Sequence, residues 1–333
     1  MDPLELIALT RSLIDIDSTS GKEAEASHLV ADWLRKKGFN VVEQPVIEDR
    51  FNIIATLDEP EIILSTHIDC VPPFFPSREE NGIIYGRGAC DAKGILATQL
   101  AALENIKDAG ERRVGILIVV GEERGSQGAH TANTLNVKSK YLINGEPTDN
   151  RLGAATRGVY RVRLVATGRA AHSSHPELGE SAIEKLLEAL QILRSLKFPS
   201  DAVLGETHYT VGLISGGVAP NVVPPIAEAD INFRTVRNAN SVRAALNPLL
   251  DFVKLVDVVE VPPVVLETVS GFETEVFPFT TDIPFLSKWG KPLLLGPGSV
   301  LVAHTDNEHI KITELTQAVT LYEKLINQLL LNV

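Results

Sequence analysis

The segment Ile62-Ile63-Leu64-Ser65-Thr66-His67-Ile68-Asp69 is a short apolar run that ends in an imidazole and a carboxylate. A run of this length and composition is expected as a buried strand. Its terminal groups are costly unless something pairs with them, since uncompensated charge in a low-dielectric site costs several kcal/mol or more. Asp91, Glu122, Glu123 and Glu146 each follow another such run or a glycine-rich turn. Four further acids and one histidine at strand ends are too many for mutual pairing. They point to a cation centre with carboxylates to spare.

Around this run the pattern alternates between helix and strand. Residues 3–17 and 22–37 have helical spacing, the second stopping at Gly38. Strands are expected at 51–57, 61–68, 114–120 and 140–144, and Ile95 to Ile106 repeats apolar residues at helical intervals. The stretch from Val114 to Val120 is apolar on both faces, as a central strand covered by helices requires. This order predicts an α/β domain with a mostly parallel sheet flanked by helices. In such sheets ligands bind beyond the carboxyl ends of the strands, where His67, Glu122, Glu123 and Glu146 fall.

Residues 158–262 change character. Strand (160–167), helix (181–196), strands (208–215 and 227–236), helix (241–253) and strand (255–261) give βαββαβ, a ferredoxin-like α+β insert. A strand at 291–295 and a helix over 313–331 then complete the first domain. The expected organisation is a discontinuous metal-binding domain, 1–157 and 263–333, carrying a self-contained insert, 158–262. A length of 333 residues agrees with two cores, and 44% hydrophobic residues suffice to fill them. A formal net charge of -12 argues against nucleic acid or an anionic membrane as partner. Two cysteines, Cys70 and Cys90, make no disulfide framework and suit a reducing compartment. With no secretory signal and no apolar stretch of the roughly 18–20 residues that span a bilayer, a cytoplasmic protein is expected.

Six segments, in order, resemble the M20 metallopeptidase family, which includes acetylornithine deacetylase and succinyl-diaminopimelate desuccinylase. They are Ser65 to Pro72, Tyr85 to Gly94, Gly121 to Gly128, Asn144 to Pro147, Gly168 to Ser174, and Gly296-Pro297-Gly298 followed by Ala303-His304. The resemblance implies two metal ions per subunit, usually zinc with Co²⁺ or Mn²⁺ able to substitute, bridged by Asp91. One ion would be completed by His67 and Glu146, the other by Glu123 and His304. Asp69 would accept the second N–H of the His67 imidazole, and the peptide bond after Asp91 would be cis. Glu122 would be the general base, taking a proton from the attacking water and passing it to the departing amine. The resemblance also implies that the first domain is catalytic and that the insert is a lid or dimerisation domain, from which His172 would stabilise the oxyanion in the partner subunit of a homodimer. Asn221, Arg234, Gly296 and Gly298 would contact substrate, the Arg234 guanidinium suiting a carboxylate.

Simpler readings compete at several positions. His304 competes with His309, and His172 with His175; Asp91 could merely cap a helix. A phosphate-binding loop at Gly86-Arg87-Gly88 fails, because Gly94 follows Lys93 where serine or threonine is needed. The implied activity is amide hydrolysis of an N-acyl amino acid, of the N-acetylornithine type in arginine or lysine biosynthesis. The alternatives are dipeptidase or carboxypeptidase action, succinyl-diaminopimelate desuccinylation, and a metal-dependent binding protein without turnover.

Overall fold

Helix α1 (Pro3–Ile14) begins where the sequence caps it. The Asp2 carboxylate accepts the N–H groups of Leu4 and Glu5, Glu5 reaches back to the Asp2 N–H, and Pro3 occupies the first turn. The computed structural model describes residues 1–331. The chain continues through α2 (Ala24–Lys36), β1 (Asn40–Ile47), β2 (Arg50–Thr56), β3 (Ile62–His67), β4 (Arg78–Glu80), β5 (Ile83–Tyr85) and α3 (Lys93–Asp108). Next come β6 (Val114–Val119), α4 (Gln127–Ala132), β7 (Tyr141–Asn144) and β8 (Leu152–Thr156). A second group comprises β9 (Gly158–Thr167), α5 (Ala182–Ser195), β10 (Ser200–Asp201), β11 (Gly205–Glu206), β12 (His208–Gly216), β13 (Ile226–Thr235), α6 (Ala239–Ala245) and β14 (Lys254–Val261). The tail supplies β15 (Val264–Val265), β16 (Thr274–Phe277), β17 (Lys291–Leu294), β18 (His309–Lys311) and α7 (Ile312–Leu330).

Packing separates the chain into two units. The first holds Met1–Ala154, Leu266–Glu275 and the segment from Thr281 onward; the second holds Ala155–Val265 and Val276–Thr280. The return of Val276–Thr280 to the second unit has no signal in the sequence pattern. It arises because Arg157 donates its N–H to the Phe277 carbonyl and Val276 packs on Ala155, Leu204 and Val236.

The six-stranded sheet of the first unit runs β1-β2-β6-β3-β7-β17. Pairings from β6 through β3 and β7 to β17 are parallel, whereas β1–β2 and β2–β6 are antiparallel, so the sheet is mixed. Strands β3 and β6 are buried along their whole length, which accounts for the apolar sequence of β6 and of the first half of β3. The edge strand β1 is not marked by apolar alternation: none of its residues is buried, and it contains Pro45, which an edge tolerates.

In the second unit the antiparallel order is β12-β13-β9-β14. One face is closed by α5 and α6, with Leu186, Leu193, Val242 and Leu246 buried against Val162, Leu164, Ile231 and Phe233. The fifth expected segment is shorter than its pattern: α6 stops at Ala245 and a 3₁₀ turn, Asn247–Leu249, follows, because Pro248 has no N–H to continue the helix. Among the described residues no helix is long and apolar enough to cross a membrane.

Candidate metal centre

The carboxyl ends of β3, β6 and β7 deliver His67, the Glu122–Glu123 pair and Glu146 to one edge of the sheet. Asp91 arrives on the loop before α3, and its bond to Ala92 is cis. After β6 the chain must turn sharply. Gly121 does this at φ 72°, a left-handed conformation that suits glycine, and an added Cβ would meet Arg50 Nη2 at 2.7 Å. Residues 122–124 then form one 3₁₀ turn.

Asp91 joins two groups of side chains. Its Oδ1 lies 2.9 Å from His67 Nε2, which is 3.9 Å from Glu146 Oε2. Its Oδ2 lies 3.3 Å from His304 Nε2, which is 2.9 Å from Glu123 Oε1. In each group, His67–Asp91–Glu146 and Asp91–Glu123–His304, the donor atoms fall within 4.8 Å of one another. The His67 Nδ1–H donates to the Asp69 carbonyl at 2.9 Å. That tautomer turns the Nε2 lone pair toward oxygens that also carry lone pairs, and Glu146 Oε1 is buried with no hydrogen-bond partner. Lone pairs converging on a buried point need a proton or a cation between them. Imidazole and carboxylate donors in this number fit a divalent metal.

The electrostatics agree. Burial pushes the Glu122 carboxyl well above its ordinary range, and the charges of Asp282 and Glu146 add to that. Glu146 is likewise raised well above normal by burial, against the pull of His67, and Glu123 is raised by burial. Burial opposes ionisation of Asp91 too, but hydrogen bonds from His304 and His67 prevail and hold it below the usual range. Hydrogen bonds from Asp91 and Glu123 push His304 up to about 10. Burial alone would lower the His67 imidazole; Asp69, Asp91 and Glu146 outweigh it and leave it well above normal. Six carboxyl groups facing two imidazoles are an excess of negative charge that a pair of cations would neutralise.

Asp69 is used differently from the expectation. The imidazole's acceptor is its backbone carbonyl, whereas its carboxylate Oδ1 stands 3.5 Å from His67 Nδ1. The carboxylate instead takes the N–H of Glu122 on Oδ1 at 3.0 Å, and on Oδ2 the N–H of Glu123 at 3.2 Å and the Ser20 hydroxyl at 2.8 Å. It holds the turn that carries both glutamates.

Gly296 and Gly298, expected at the substrate, also have partners within the protein. A Cβ on Gly296 would strike the Glu146 carbonyl at 2.3 Å, and the Gly296 carbonyl accepts from the N–H groups of Thr148 and Asn150. Gly298 packs on Cys90 and accepts from the Asp149 N–H. His309 stays out of both groups, its Nδ1–H donating to the Asn307 carbonyl at 2.6 Å and its ring lying against that of Tyr85. His172, Asn221 and Arg234 belong to the second unit. There His172 is exposed and bonded to the Ser174 hydroxyl, Ser173 donates to the Asn221 carbonyl, and half-buried Arg234 sits on β13. Ser20 and Asp282 escaped the sequence reading, and Glu308 figured there only within the Asp306-Asn307-Glu308 segment of the family resemblance, with no role at the site. Asp282 is fully buried and pushed up to about 6 by burial; an acid between Thr281 and Ile283 was its only signal.

An α/β unit presenting two imidazole–carboxylate groups that share one aspartate is the framework of a metal-dependent hydrolase. The chain belongs to peptidase family M20/M25/M40, whose profile matches residues 63–328, and is accordingly a metal-dependent peptidase or hydrolase. An M20-domain protein of Schizosaccharomyces pombe is 35% identical over 96% of this chain and 84% of its own length. A probable carboxypeptidase of Aspergillus clavatus is 37% identical over 96% of this chain and 82% of its own. The crystal structure of a tripeptidase from Staphylococcus aureus superposes with a TM-score of 0.84 at 20% identity, covering 97% of both chains. At that identity the likeness speaks for the fold.

Proposed function

We propose that this chain is an exopeptidase of the carboxypeptidase kind that works with two divalent cations, zinc by the chemistry of its donors. The observation that carries the reading is Asp91, which offers one oxygen to each of two otherwise separate ligand groups. His67 and Glu146 would complete one site, Glu123 and His304 the other. Co²⁺ or Mn²⁺ could substitute at such mixed nitrogen and oxygen sites. When bound, the cations supply Lewis acidity to the scissile carbonyl and lower the pKa of water.

The chain's own groups divide the remaining tasks. Glu122 belongs to neither ligand group. Its carboxylate accepts the proton of the attacking water and returns it to the departing amine. Asp69 fixes the turn on which Glu122 rides. From the second unit, Arg234 would pair with the substrate's terminal carboxylate and Asn221 would add a polar contact. His172 would donate to the oxyanion across a homodimer built through the inserted unit.

The relative from Aspergillus named a probable carboxypeptidase supports peptide substrates. That favours the dipeptidase or carboxypeptidase alternative over N-acetylornithine or succinyl-diaminopimelate, although the bond broken is an amide in every case. A binding protein without turnover has no need of Glu122. The test is a panel assayed with zinc-loaded protein: short peptides with free or amidated C-termini, N-acetylated peptides, N-acetylornithine and N-succinyl-diaminopimelate. Hydrolysis of peptides that amidation abolishes is expected. Turnover confined to N-acetylornithine would replace the carboxypeptidase reading, and no turnover of any amide would leave the binding protein.

A further inference from the structure

Beyond His304 in the chain, Glu308 is fully buried, as is its partner Arg87. Its Oε2 accepts from Arg87 Nη1 at 2.5 Å. Its Oε1 accepts three backbone N–H groups: Gly88 at 2.9 Å, Cys90 at 3.2 Å and Asp91 at 3.1 Å. Its own carbonyl accepts from the Gly86 N–H at 3.1 Å. The placement follows from strand register: His309 on β18 stands opposite Tyr85 on β5, so the residue before β18 lies beside the chain that leaves β5. Arg87 is fixed in turn, donating from Nε to the Pro73 carbonyl at 3.1 Å and lying over the Phe75 ring.

A buried ion pair is weak evidence of a stability role, because a well-packed apolar pair of similar volume is often as stable. What an apolar pair cannot do is draw three N–H groups of one loop onto a single oxygen. We propose that Glu308 is a positioning residue for the metal centre: it gathers loop 86–91 and thereby sets where Asp91 stands between His67 and His304. Because Glu308 and His304 share a loop, the same carboxylate ties a ligand of the second group to the aspartate common to both. The inference rests on the two-cation reading proposed above.

Two variants test it. Glu308→Asp keeps the charge opposite Arg87 but withdraws the carboxylate by one methylene, and Glu308→Gln keeps the length but removes the charge. Zinc affinities are read by chelator competition on protein shown to be folded by circular dichroism, alongside the Tm of the metal-free form. Both ions should weaken together by about 10–100-fold, the usual consequence of losing a group that orients a ligand. Glu104→Gln is the control: it breaks the ion pair with Lys37 near the far end of α3, and should move Tm without moving zinc affinity. Should Glu308→Gln fail to fold, Glu308→Asp decides alone. Unchanged affinities, a fall in Tm without loss of affinity, or weakening of one ion only would overturn the proposal while the wild type still binds two. A wild type that takes up no zinc would overturn the two-cation reading, and this inference with it.

Discussion

Replacing Asp69 with asparagine separates two accounts of that residue. In the structure its carboxylate receives the N–H of Glu122 on one oxygen, and the N–H of Glu123 and the Ser20 hydroxyl on the other. Asparagine keeps one oxygen. If its amide nitrogen faces Glu122, that N–H meets a donor; if it faces the other side, the Ser20 hydroxyl can turn to accept, but the Glu123 N–H is orphaned. Either flip leaves one turn N–H unsatisfied, at about 1–3 kcal/mol, and weakens the remaining bonds by removing their charge assistance. A net loss of about 3 kcal/mol from the grip on the turn lowers the population that holds Glu122 in place by roughly 100-fold. We therefore expect kcat on a cleaved peptide to fall by about that factor. The His67 side of the centre should keep its ion, because the carbonyl that fixes the imidazole is retained. Steady-state kinetics with a two-ion zinc titration, and histidine side-chain ¹⁵N shifts to show which imidazole is ligated, make the measurement. A variant with wild-type kcat but a lost His67 ion would refute the turn-holding role and restore the carboxylate to the imidazole.

Glu122→Gln should retain both ions and lose about 10²–10⁴-fold in kcat, as expected of a general base. The Tm of its metal-free form should rise, because burial and the charges of Asp282 and Glu146 press on the native carboxylate; differential scanning calorimetry with zinc analysis checks both. In the metal-free protein His304 keeps its proton up to about pH 10, so zinc must displace that proton. Calorimetric titrations in buffers of different ionisation enthalpy should show proton release at pH 7.5, and affinity should climb with pH until about 10. The stability that the raised His304 contributes to the metal-free protein is complete below pH 6.5 and is lost as pH rises through about 10. The Tm of the metal-free form should fall across that window, and a flat profile would contradict the assignment.

The interior strands were legible because burial on both faces leaves a sequence little freedom: Val114–Val119 has no polar side chain, and Ile62–His67 opens on three apolar residues before its polar end. The edge strand Asn40–Ile47 buries no residue and sends only Val41 and Val46 partway into the core, too little to impose a clear periodicity. His67, Asp91, Glu123 and Glu146 could be picked out because each is polar where an apolar strand or a glycine turn ends, whereas His304 came only from the family resemblance. Their assembly around Asp91 is a fact of three dimensions. Glu308 lies beside the Gly86 to Asp91 loop only because β18 pairs with β5, and neither short strand has a pattern of its own. Asp69 shows a subtler limit. Its nearness to His67 in sequence suggested a side-chain contact; the carboxylate does stand 3.5 Å from the imidazole, but the backbone carbonyl is nearer at 2.9 Å and the carboxylate also holds the turn.

One consequence of the interrupted first unit concerns the order of synthesis. His67, Asp91, Glu123 and Glu146 leave the ribosome before the second unit is made, whereas His304 and Glu308 emerge after it. A nascent chain can therefore assemble the ligands of one group but only part of the other. If two cations are held as proposed, the site completed by His304 could fill only after translation has passed through the entire insertion, whereas the His67–Asp91–Glu146 site could fill earlier.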